Sequence, residues 1–263
     1  MKVSLIIVTY NRPDALSLIL KSIERQTVLP DEVIIADDGS TSETAQLIAS
    51  TKQSFPVPLL HVWHEDKGFR AATIRNRAVR KSTGDYLIFS DGDLFFHPQF
   101  IHDFKKSAKK DEALIGSRVF LSKRATLKRI QNNNYGAVFP LISTEIETNR
   151  INSVRLPILN KLYKPLKYSS NLRGGLLGVW KNDLERVNGW NEEFSGWGLE
   201  DTELVARLFN SGLLLRKIKL QAITYHLWHK TQSREQLSKN KQKLEKAISD
   251  KTVKCIKGLT VLQ

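Results

Sequence analysis

A short segment of the chain places two adjacent carboxylates, Glu200 and Asp201, where an aromatic, glycine-rich loop meets an apolar pattern of helical spacing. A carboxylate held at that point could remove a proton from a substrate hydroxyl as a general base. Trp197, in the same segment, offers a flat apolar face on which a sugar ring could stack. A purely structural interpretation competes with this one, because acidic residues in a first turn stabilise the helix dipole.

Two further motifs supply groups that bind metal ions. Asp91 and Asp93 flank one glycine directly after a hydrophobic strand pattern, and such oxygen donors can hold a divalent cation that bridges to a diphosphate. Ordinary turn chemistry is the alternative for this motif. His226 and His229 follow a β-rich run and could complete an Mn²⁺ site or bind phosphate. Off a helix, a separation of three does not fix which histidine is the ligand.

Three arginines, Arg70, Arg75 and Arg77, lie around the start of a predicted helix. Guanidinium and free backbone N–H groups there could hold pyrophosphate or uracil oxygens. One helical face cannot aim all three inward, so Arg70, nearest the strand-to-helix turn, is the best candidate. Surface or helix-packing roles stay open for the other two. The sequence has neither a Gly-x-Gly-x-x-Gly after the first strand nor a P-loop, so it supports neither a dinucleotide enzyme nor a P-loop NTPase.

The elements that must position these motifs alternate between strand and helix patterns. Strands are predicted over Val3–Thr9, Val33–Asp37, Leu59–Trp63, Asp85–Ser90 and Leu176–Trp180. Ser40 and Glu43 have the spacing of a capping box for the second helix. The alternation predicts an α/β fold with a Rossmann-like, mainly parallel sheet flanked by helices. Thr9, Asp38 and the Asp91–Asp93 motif fall at the carboxyl ends of its strands, where ligands bind in such sheets.

The second half of the chain is less regular. From Arg118 to Arg173 no regular strand or helix pattern continues, and the sequence predicts a long, mobile loop. A helix is predicted around Leu204–Phe209, ending near Gly212, and further strand is expected between Leu213 and Tyr225. The tail after Lys230 is lysine-rich and weakly amphipathic.

Composition narrows the class of protein. The chain has 263 residues, 41% of them hydrophobic, and a single cysteine, which excludes an internal disulfide and a cysteine-based metal cluster. Its apolar runs are too short to cross a bilayer, and its first residues lead into a strand pattern instead of a signal peptide. These features predict a folded cytoplasmic protein.

The formal net charge of +14 is unevenly placed. Residues 117–173 carry eleven Lys/Arg against two Asp/Glu, and residues 226–263 carry nine against three. Such segments could contact nucleic acid, anionic lipid headgroups or phosphorylated acceptors, because Coulomb attraction alone does not distinguish among them. Solvated surface charge is the simpler alternative.

Five motifs in order resemble those of family 2 nucleotide-sugar glycosyltransferases with the GT-A fold. They are Thr9–Arg12, Asp37–Ser40, Phe69–Ala71, Asp91–Asp93 and Gly196–Asp201. The resemblance covers about residues 1–230. Its latter part is also similar to chondroitin polymerases and β-1,4-galactosyltransferases, in which a Gly-Gly pair precedes a Trp-Gly-x-Glu-Asp segment and a histidine-containing metal motif follows. The pair here is Gly174-Gly175.

The resemblance implies a role for each matching residue. Those implied in binding the donor nucleotide and its sugar are Thr9, Tyr10, Asp38, Arg70, Asp91 and Gly175. Those implied as ligands of Mn²⁺ or Mg²⁺ are Asp93 with His226 or His229. Trp197 and Glu200 would bind the acceptor, and Asp201 would be the catalytic base.

The implied organisation is a nucleotide-sugar-binding half over residues 1–116 and an acceptor-binding, catalytic half over residues 117–230 of the same domain. The second half would include a smaller acceptor-side region and a basic, flexible insertion at about 121–170. A basic tail would follow over residues 231–263.

The implied function is metal-dependent, inverting transfer of a hexose or N-acetylhexosamine from a UDP-sugar to a hydroxyl of a glycan or lipid-linked acceptor. Bacterial surface polysaccharide or lipopolysaccharide synthesis would be its setting. Charge placement adds an expected peripheral contact with anionic lipid at the inner face of the plasma membrane, without a specific nucleic-acid partner. The competing hypotheses are a basic nucleic-acid-binding protein and a catalytically silent carbohydrate-binding protein, and neither accounts for the ordered motifs.

Overall fold

The computed structural model describes residues 1–136, 138, 141–166, 174–230 and 234–260. Its strands, in chain order, are β1 (Val3–Thr9), β2 (Glu32–Asp37), β3 (Leu59–Trp63), β4 (Tyr86–Asp91), β5 (Leu94–Phe96), β6 (Glu112–Ile115), β7 (Ser117–Leu121), β8 (Ile146–Thr148), β9 (Leu176–Trp180), β10 (Leu214–Lys217) and β11 (Ile223–His226). Its α-helices are α1 (Pro13–Glu24), α2 (Ser42–Lys52), α3 (Ala71–Lys81), α4 (Phe100–Ser107), α5 (Lys123–Gln131), α6 (Lys181–Arg186), α7 (Glu200–Asn210) and α8 (Leu237–Ser249). Two 3₁₀ helices cover Arg150–Ser153 and Pro157–Leu162.

A seven-stranded sheet organises the fold, with the strand order β10-β6-β9-β4-β1-β2-β3. β1 pairs in parallel with β2 and β4, and β2 pairs in parallel with β3. β9 is antiparallel to both of its neighbours, β4 and β6. The predicted α/β fold with a mainly parallel sheet is therefore confirmed.

Both faces of this sheet are buried. In β1, Leu5 and Ile7 belong to one hydrophobic core and Ile6 to the other, because successive side chains of a strand point to opposite faces. α1 packs into the first core, and α3 and α7 pack into the second. α1 begins with Pro13 at a position where a missing N–H costs no hydrogen bond.

A second, four-stranded sheet has the order β5-β11-β7-β8. Its pairing places His226, at the end of β11, opposite Leu94 in β5 and Phe120 in β7. The N–H of Leu227 donates to the carbonyl oxygen of Asp93 at 2.8 Å. This small sheet therefore brings the histidine motif beside the acidic motif.

The predicted capping box at Ser40 is wrong. α2 begins at Ser42 with Thr41 as its N-cap. The Ser40 hydroxyl instead accepts a hydrogen bond from the N–H of Asn11 at 2.8 Å. Ser40 is therefore used to join the ends of β1 and β2, a long-range contact that local spacing does not reveal.

The second half of the chain holds more regular structure than its sequence predicts. Between Arg118 and Leu166 the described residues form β7, α5, β8 and the two 3₁₀ helices, where an irregular excursion was expected. The parts of the predicted insertion at 137, 139–140 and 167–173 lie outside the described residues. The tail holds α8, which packs against α7. Across the described ranges, no helix combines the length and apolar character needed to cross a membrane.

Candidate active site

The carboxyl ends of β1, β2 and β4 border an open cleft of about 620 Å³. Val8 in β1 pairs with Asp91 in β4, and the Asp38 N–H donates to the Thr9 carbonyl at 2.9 Å. Because these strands are parallel, residues far apart in sequence reach one edge of the sheet. The predicted site residues that line the cleft are Thr9, Tyr10, Asp38, Asp91, Asp93, Trp197, Glu200, Asp201 and His229.

Asp93, His226 and His229, called the metal triad below, converge beside this cleft. One carboxylate oxygen and two imidazole nitrogens of the triad lie within 4.8 Å of one another. Asp93 Oδ2 is 2.9 Å from His229 Nε2 and 3.3 Å from His226 Nε2. Asp93 Oδ1 is buried and has no hydrogen-bond partner in the described part of the chain. These donors fit a divalent cation, which the three residues would hold together.

The surroundings of the metal triad prepare its ligand atoms. His229 Nδ1 lies 2.8 Å from the carbonyl oxygen of Lys230, and a proton shared there leaves Nε2 available to a metal. Burial opposes ionisation of Asp93, but hydrogen bonds with His226 and His229 hold its pKa below the usual range. The hydrogen bond to Asp93 raises the pKa of His229. A metal that binds His229 must therefore compete with a proton.

Asp91 is held by two arginines. Its Oδ1 accepts a hydrogen bond from Arg75 at 3.1 Å, and its Oδ2 accepts one from Arg118 at 2.9 Å. Arg75 also donates to Glu200 Oε1 at 3.2 Å, and its guanidinium carbon lies 4.2 Å from the ring centroid of Trp190. Arg75 therefore joins the carboxylate at the end of β4 to the carboxylate at the start of α7.

The loop that leads into α7 has a constrained backbone. Gly196 and Gly198 have φ angles of +69° and +106°, and Leu199 at the N-cap has a φ of +74°. A leucine in this left-handed region is strained, so the surrounding contacts must hold it there. The loop thereby fixes where the first turn of α7 begins.

Asp201 occupies that first turn and is only 9% exposed, yet it lines the cleft. Its Oδ2 accepts a hydrogen bond from the Gly174 N–H at 3.0 Å, and its Oδ1 accepts one from the Thr202 N–H at 2.7 Å. Oδ1 also accepts a hydrogen bond from the Thr202 hydroxyl at 3.2 Å. A carboxylate oxygen can accept two hydrogen bonds, so Oδ2 remains able to meet a substrate hydroxyl. The carboxylate is therefore oriented and still able to act.

Glu200, the residue before Asp201, has an environment that favours protonation of its carboxyl group. Burial and the nearby charge of Asp201 raise the pKa of Glu200 to about 7, against the opposing effect of Arg75. Its Oε2 is buried without a hydrogen-bond partner among the residues that the structure describes. Near neutral pH its carboxyl group can therefore donate as well as accept a hydrogen bond, which suits contact with a sugar hydroxyl.

Two family models match successive parts of the chain. The family described as "Glycosyl transferase family 2" matches residues 4–168, which is more than half of the chain. The chain belongs to this family. A second model, described as "N-terminal domain of galactosyltransferase", matches residues 156–230. The predicted family and the enzyme class are confirmed.

The family 2 transferase is similar to longer curated proteins. Chondroitin synthase of Escherichia coli is 28% identical over 244 residues, which cover 85% of this chain and 34% of the relative. The chain thus spans about a third of the length of that protein.

Solved structures share the fold of the transferase. Residues 1–349 of S. aureus TarS in complex with UDP match with a TM-score of 0.64 at 16% identity, covering 98% of this chain and 68% of that one. The mannosyltransferase PcManGT from Pyrobaculum calidifontis, in complex with GDP-Man and Mn²⁺, matches with a TM-score of 0.56 at 20% identity. That match covers 87% of this chain and 57% of the mannosyltransferase. The GT-A fold is confirmed.

On the predicted donor side of the transferase, Asp38 is oriented by its neighbours. Its Oδ1 lies 2.6 Å from His64 Nε2, and its Oδ2 accepts a hydrogen bond from the backbone N–H of Arg70 at 2.8 Å. The Arg70 guanidinium donates to the carbonyl oxygen of Glu65 and is not part of the described cleft lining. Arg70 therefore reaches the donor side through its backbone, and contact of its side chain with the nucleotide stays a prediction.

Gly175 packs beneath the cleft. A Cβ at this position would overlap Asp91 Oδ2 and Arg118 Nη2. Any side chain would therefore break the ion pair that holds Asp91. The predicted approach of the Gly175 backbone to the donor sugar stays a prediction.

Sequence reasoning missed the roles of Arg75 and Arg118. Arg75 is 4% exposed and lies between Ala71 and Ala78 on the buried face of α3. Its spacing of four and three from those alanines is the signal that could have identified it as inward-facing. Arg118 lies in β7, which local pattern did not predict, so no comparable signal was present.

Proposed function

We propose that this family 2 transferase moves a hexose or N-acetylhexosamine from a UDP-sugar to a hydroxyl of a glycan or lipid-linked acceptor, with inversion at the anomeric carbon. One observation carries the proposal. Asp201, at the start of α7, lines the same cleft as Asp93 and His229, two members of the metal triad. A base and a cation site at one cleft are what displacement of a diphosphate by a hydroxyl requires.

In the proposed reaction, Asp201 removes the proton of the acceptor hydroxyl as that oxygen bonds to the anomeric carbon. The bond between that carbon and the diphosphate oxygen breaks at the same time, so UDP leaves with the bonding electrons. Attack from the face opposite the leaving group inverts the anomeric configuration. The hydrogen bonds from Gly174 and Thr202 keep the Asp201 carboxylate aimed during this step.

The metal triad would hold a divalent cation on the donor side. Bound there, such a cation supplies Lewis-acid stabilisation of the charge that grows on the departing diphosphate. We propose Mn²⁺ ahead of Mg²⁺, since Mg²⁺ prefers an all-oxygen shell and the triad offers two imidazole nitrogens. The Mn²⁺ in the complex of PcManGT supports this choice.

Residues 1–116 would supply most of the donor side of the proposed site, completed by His226 and His229, and residues 117–230 would supply the base and the acceptor side. Thr9 Oγ1 is buried without a hydrogen-bond partner in the described ranges, so it remains free to meet the nucleotide. The complex of TarS with UDP supports a uridine donor. Trp197 and Glu200, which line the same cleft, would bind the acceptor sugar.

The setting that we propose is synthesis of a bacterial surface polysaccharide or lipopolysaccharide. The similarity to a chondroitin synthase of Escherichia coli supports a polysaccharide product.

A donor panel tests the proposal. In the presence of Mn²⁺, a UDP-sugar should raise the melting temperature, whereas GDP- and TDP-sugars should have little effect. With the donor at about 100 times its Kd, the expected gain is roughly 5–10 °C. EDTA should abolish it. A protein that responds to none of these donors, or equally to all of them, would contradict the proposed donor class.

We also propose that this enzyme contacts an anionic membrane through one surface, formed by residues 141–160. Its exposed apolar side chains include Ile142, which is 77% exposed, and Ile158, which is 74% exposed. Arg150 donates to the carbonyl oxygen of Leu141 at 2.8 Å and so joins residues 141 and 150 of this surface. The surrounding 117–173 segment carries eleven Lys/Arg against two Asp/Glu. Apolar side chains within a basic segment suit a headgroup layer of anionic lipid.

Vesicle binding tests this contact. Wild-type protein should sediment with phosphatidylglycerol vesicles and not with phosphatidylcholine vesicles at low salt. The double variant Ile142→Glu, Ile158→Glu should bind roughly tenfold more weakly or worse, because it removes two apolar contacts and adds two repulsive charges. Leu214→Glu, at an exposed leucine outside both basic segments, is the control. Equal binding by the double variant and wild type would refute this surface.

A further inference from the structure

A second cavity of about 310 Å³ adjoins the catalytic cleft and is not explained by the reaction described above. Trp197 and His229 line both the cavity and the cleft. The residues that line the cavity alone are Phe120, Leu121, Glu147, Trp228 and His226 of the metal triad. The cavity is therefore an extension of the site past Trp197, with aromatic rings and one carboxylate as its distinctive groups.

Trp228 is fixed in place. Its backbone N–H donates to the Thr126 hydroxyl at 2.9 Å, which ties the chain after β11 to α5. The Lys123 ammonium lies 4.8 Å from the centroid of the indole ring and covers one of its faces. Trp228 also lines the cavity, so its indole can contact a molecule bound there. An indole has few torsions to order, so it binds a flat apolar surface at little cost in conformational entropy.

Glu147 completes the arrangement. It is exposed in β8 and forms no hydrogen bond or ion pair with any residue that the structure describes. Its carboxylate can accept hydrogen bonds from two neighbouring hydroxyl groups. An aromatic face next to a free carboxylate matches the chemistry of a pyranose ring, which has an apolar C–H face and a rim of hydroxyls.

We propose that this cavity binds the second sugar ring of the acceptor, next to the ring whose hydroxyl is glycosylated at Asp201. The proposal rests on the function proposed above. It makes the preferred acceptor an oligosaccharide of at least two residues, with Trp197 at the boundary between the two rings and Trp228 beneath the second.

Titration with a sugar panel tests the proposal. The probes are methyl β-glycosides of glucose, galactose and their N-acetylated forms, together with β-linked disaccharides of the same sugars, added to full-length protein with UDP and Mn²⁺. The tightest disaccharide should bind wild-type protein roughly tenfold more tightly than its monosaccharide. Trp228→Ala should remove this preference and leave monosaccharide affinity unchanged. Trp228→Phe, which keeps an aromatic ring, should retain most of it.

Trp63→Ala is the matched control, since it removes a half-exposed indole that lines neither cavity. The proposal would be overturned if wild type bound mono- and disaccharides with equal affinity, or if it bound no disaccharide of the panel. It would also be overturned if Trp228→Ala kept the preference for disaccharides. Thermal stabilisation by UDP and Mn²⁺ separates this failure from failure of the proposed function. If wild type and Trp228→Ala are both stabilised, the donor site stands and only the second sugar site is rejected.

Discussion

Replacement of Asp201 with asparagine is expected to lower turnover by roughly 10²–10⁴-fold, the usual contribution of a general base. Asparagine keeps the shape of the side chain but cannot accept the proton of the attacking hydroxyl. Donor binding should stay close to that of wild type, because the metal triad and Asp38 are untouched. UDP release and the Kd for the UDP-sugar, measured on the same preparation, check both parts.

Asp183→Asn is the matched control for this variant, since Asp183 also lies in a first helical turn, in α6, and does not line the cleft. The competing explanation is that Asp201 only anchors Gly174 and stabilises the start of α7. In that case Asp201→Asn would lower the melting temperature while the folded enzyme kept its turnover. Near-normal turnover in Asp201→Asn would thus remove Asp201 as the base.

Replacement of Asp93 with asparagine should weaken metal and donor binding together, in contrast to the change at Asp201. The variant loses the negative charge that the metal triad contributes. A bound cation stabilises the charge of the transition state by several kcal/mol, so loss of its site should lower turnover by roughly 10²–10³-fold. Calorimetric titration of Mn²⁺ in the presence of UDP, alongside turnover measurements, gives the two effects separately.

Asp250→Asn serves as the control, because Asp250 is an exposed carboxylate at the end of α8. If Asp93→Asn bound Mn²⁺ and UDP as wild type does, the assignment of the metal triad would be wrong. Unchanged activity in wild type after verified removal of metal would reject the cation itself.

Local pattern was sufficient for the first four strands of the large sheet, β1 to β4. β1 and β3 have the bounds that alternating and apolar runs predicted, and Ala71, Ile74 and Ala78 do face the core from α3. These elements are long enough, or buried on both faces, for their own residues to carry the signal. The order of the site motifs along the parallel strands followed from the same pattern.

Elements that depend on distant partners were not predictable in this way. β5 has only three residues and is a strand because β11 pairs with it. The position of His226 beside Asp93 follows from that pairing, which no window of local sequence contains. Arg118 reaches Asp91 for the same kind of reason, since β7 joins the small sheet through β11. Most of the residues named from sequence line the cleft, but the network of arginines that orients them could not be predicted.

The reversed direction of β9 affects how this enzyme can diversify. The chain leaves the large sheet at the end of β6 and re-enters it at the start of β9. Because β9 is antiparallel to β6, both points lie at the same edge of the sheet, beside Asp91 and Asp201. The part of this segment between β7 and Gly174 can lengthen, shorten or change composition in descendants without altering the pairing of β9 with β4 or β6. Substrate range can therefore drift in descendants that keep Arg118 on Asp91 and the Gly174 N–H on Asp201.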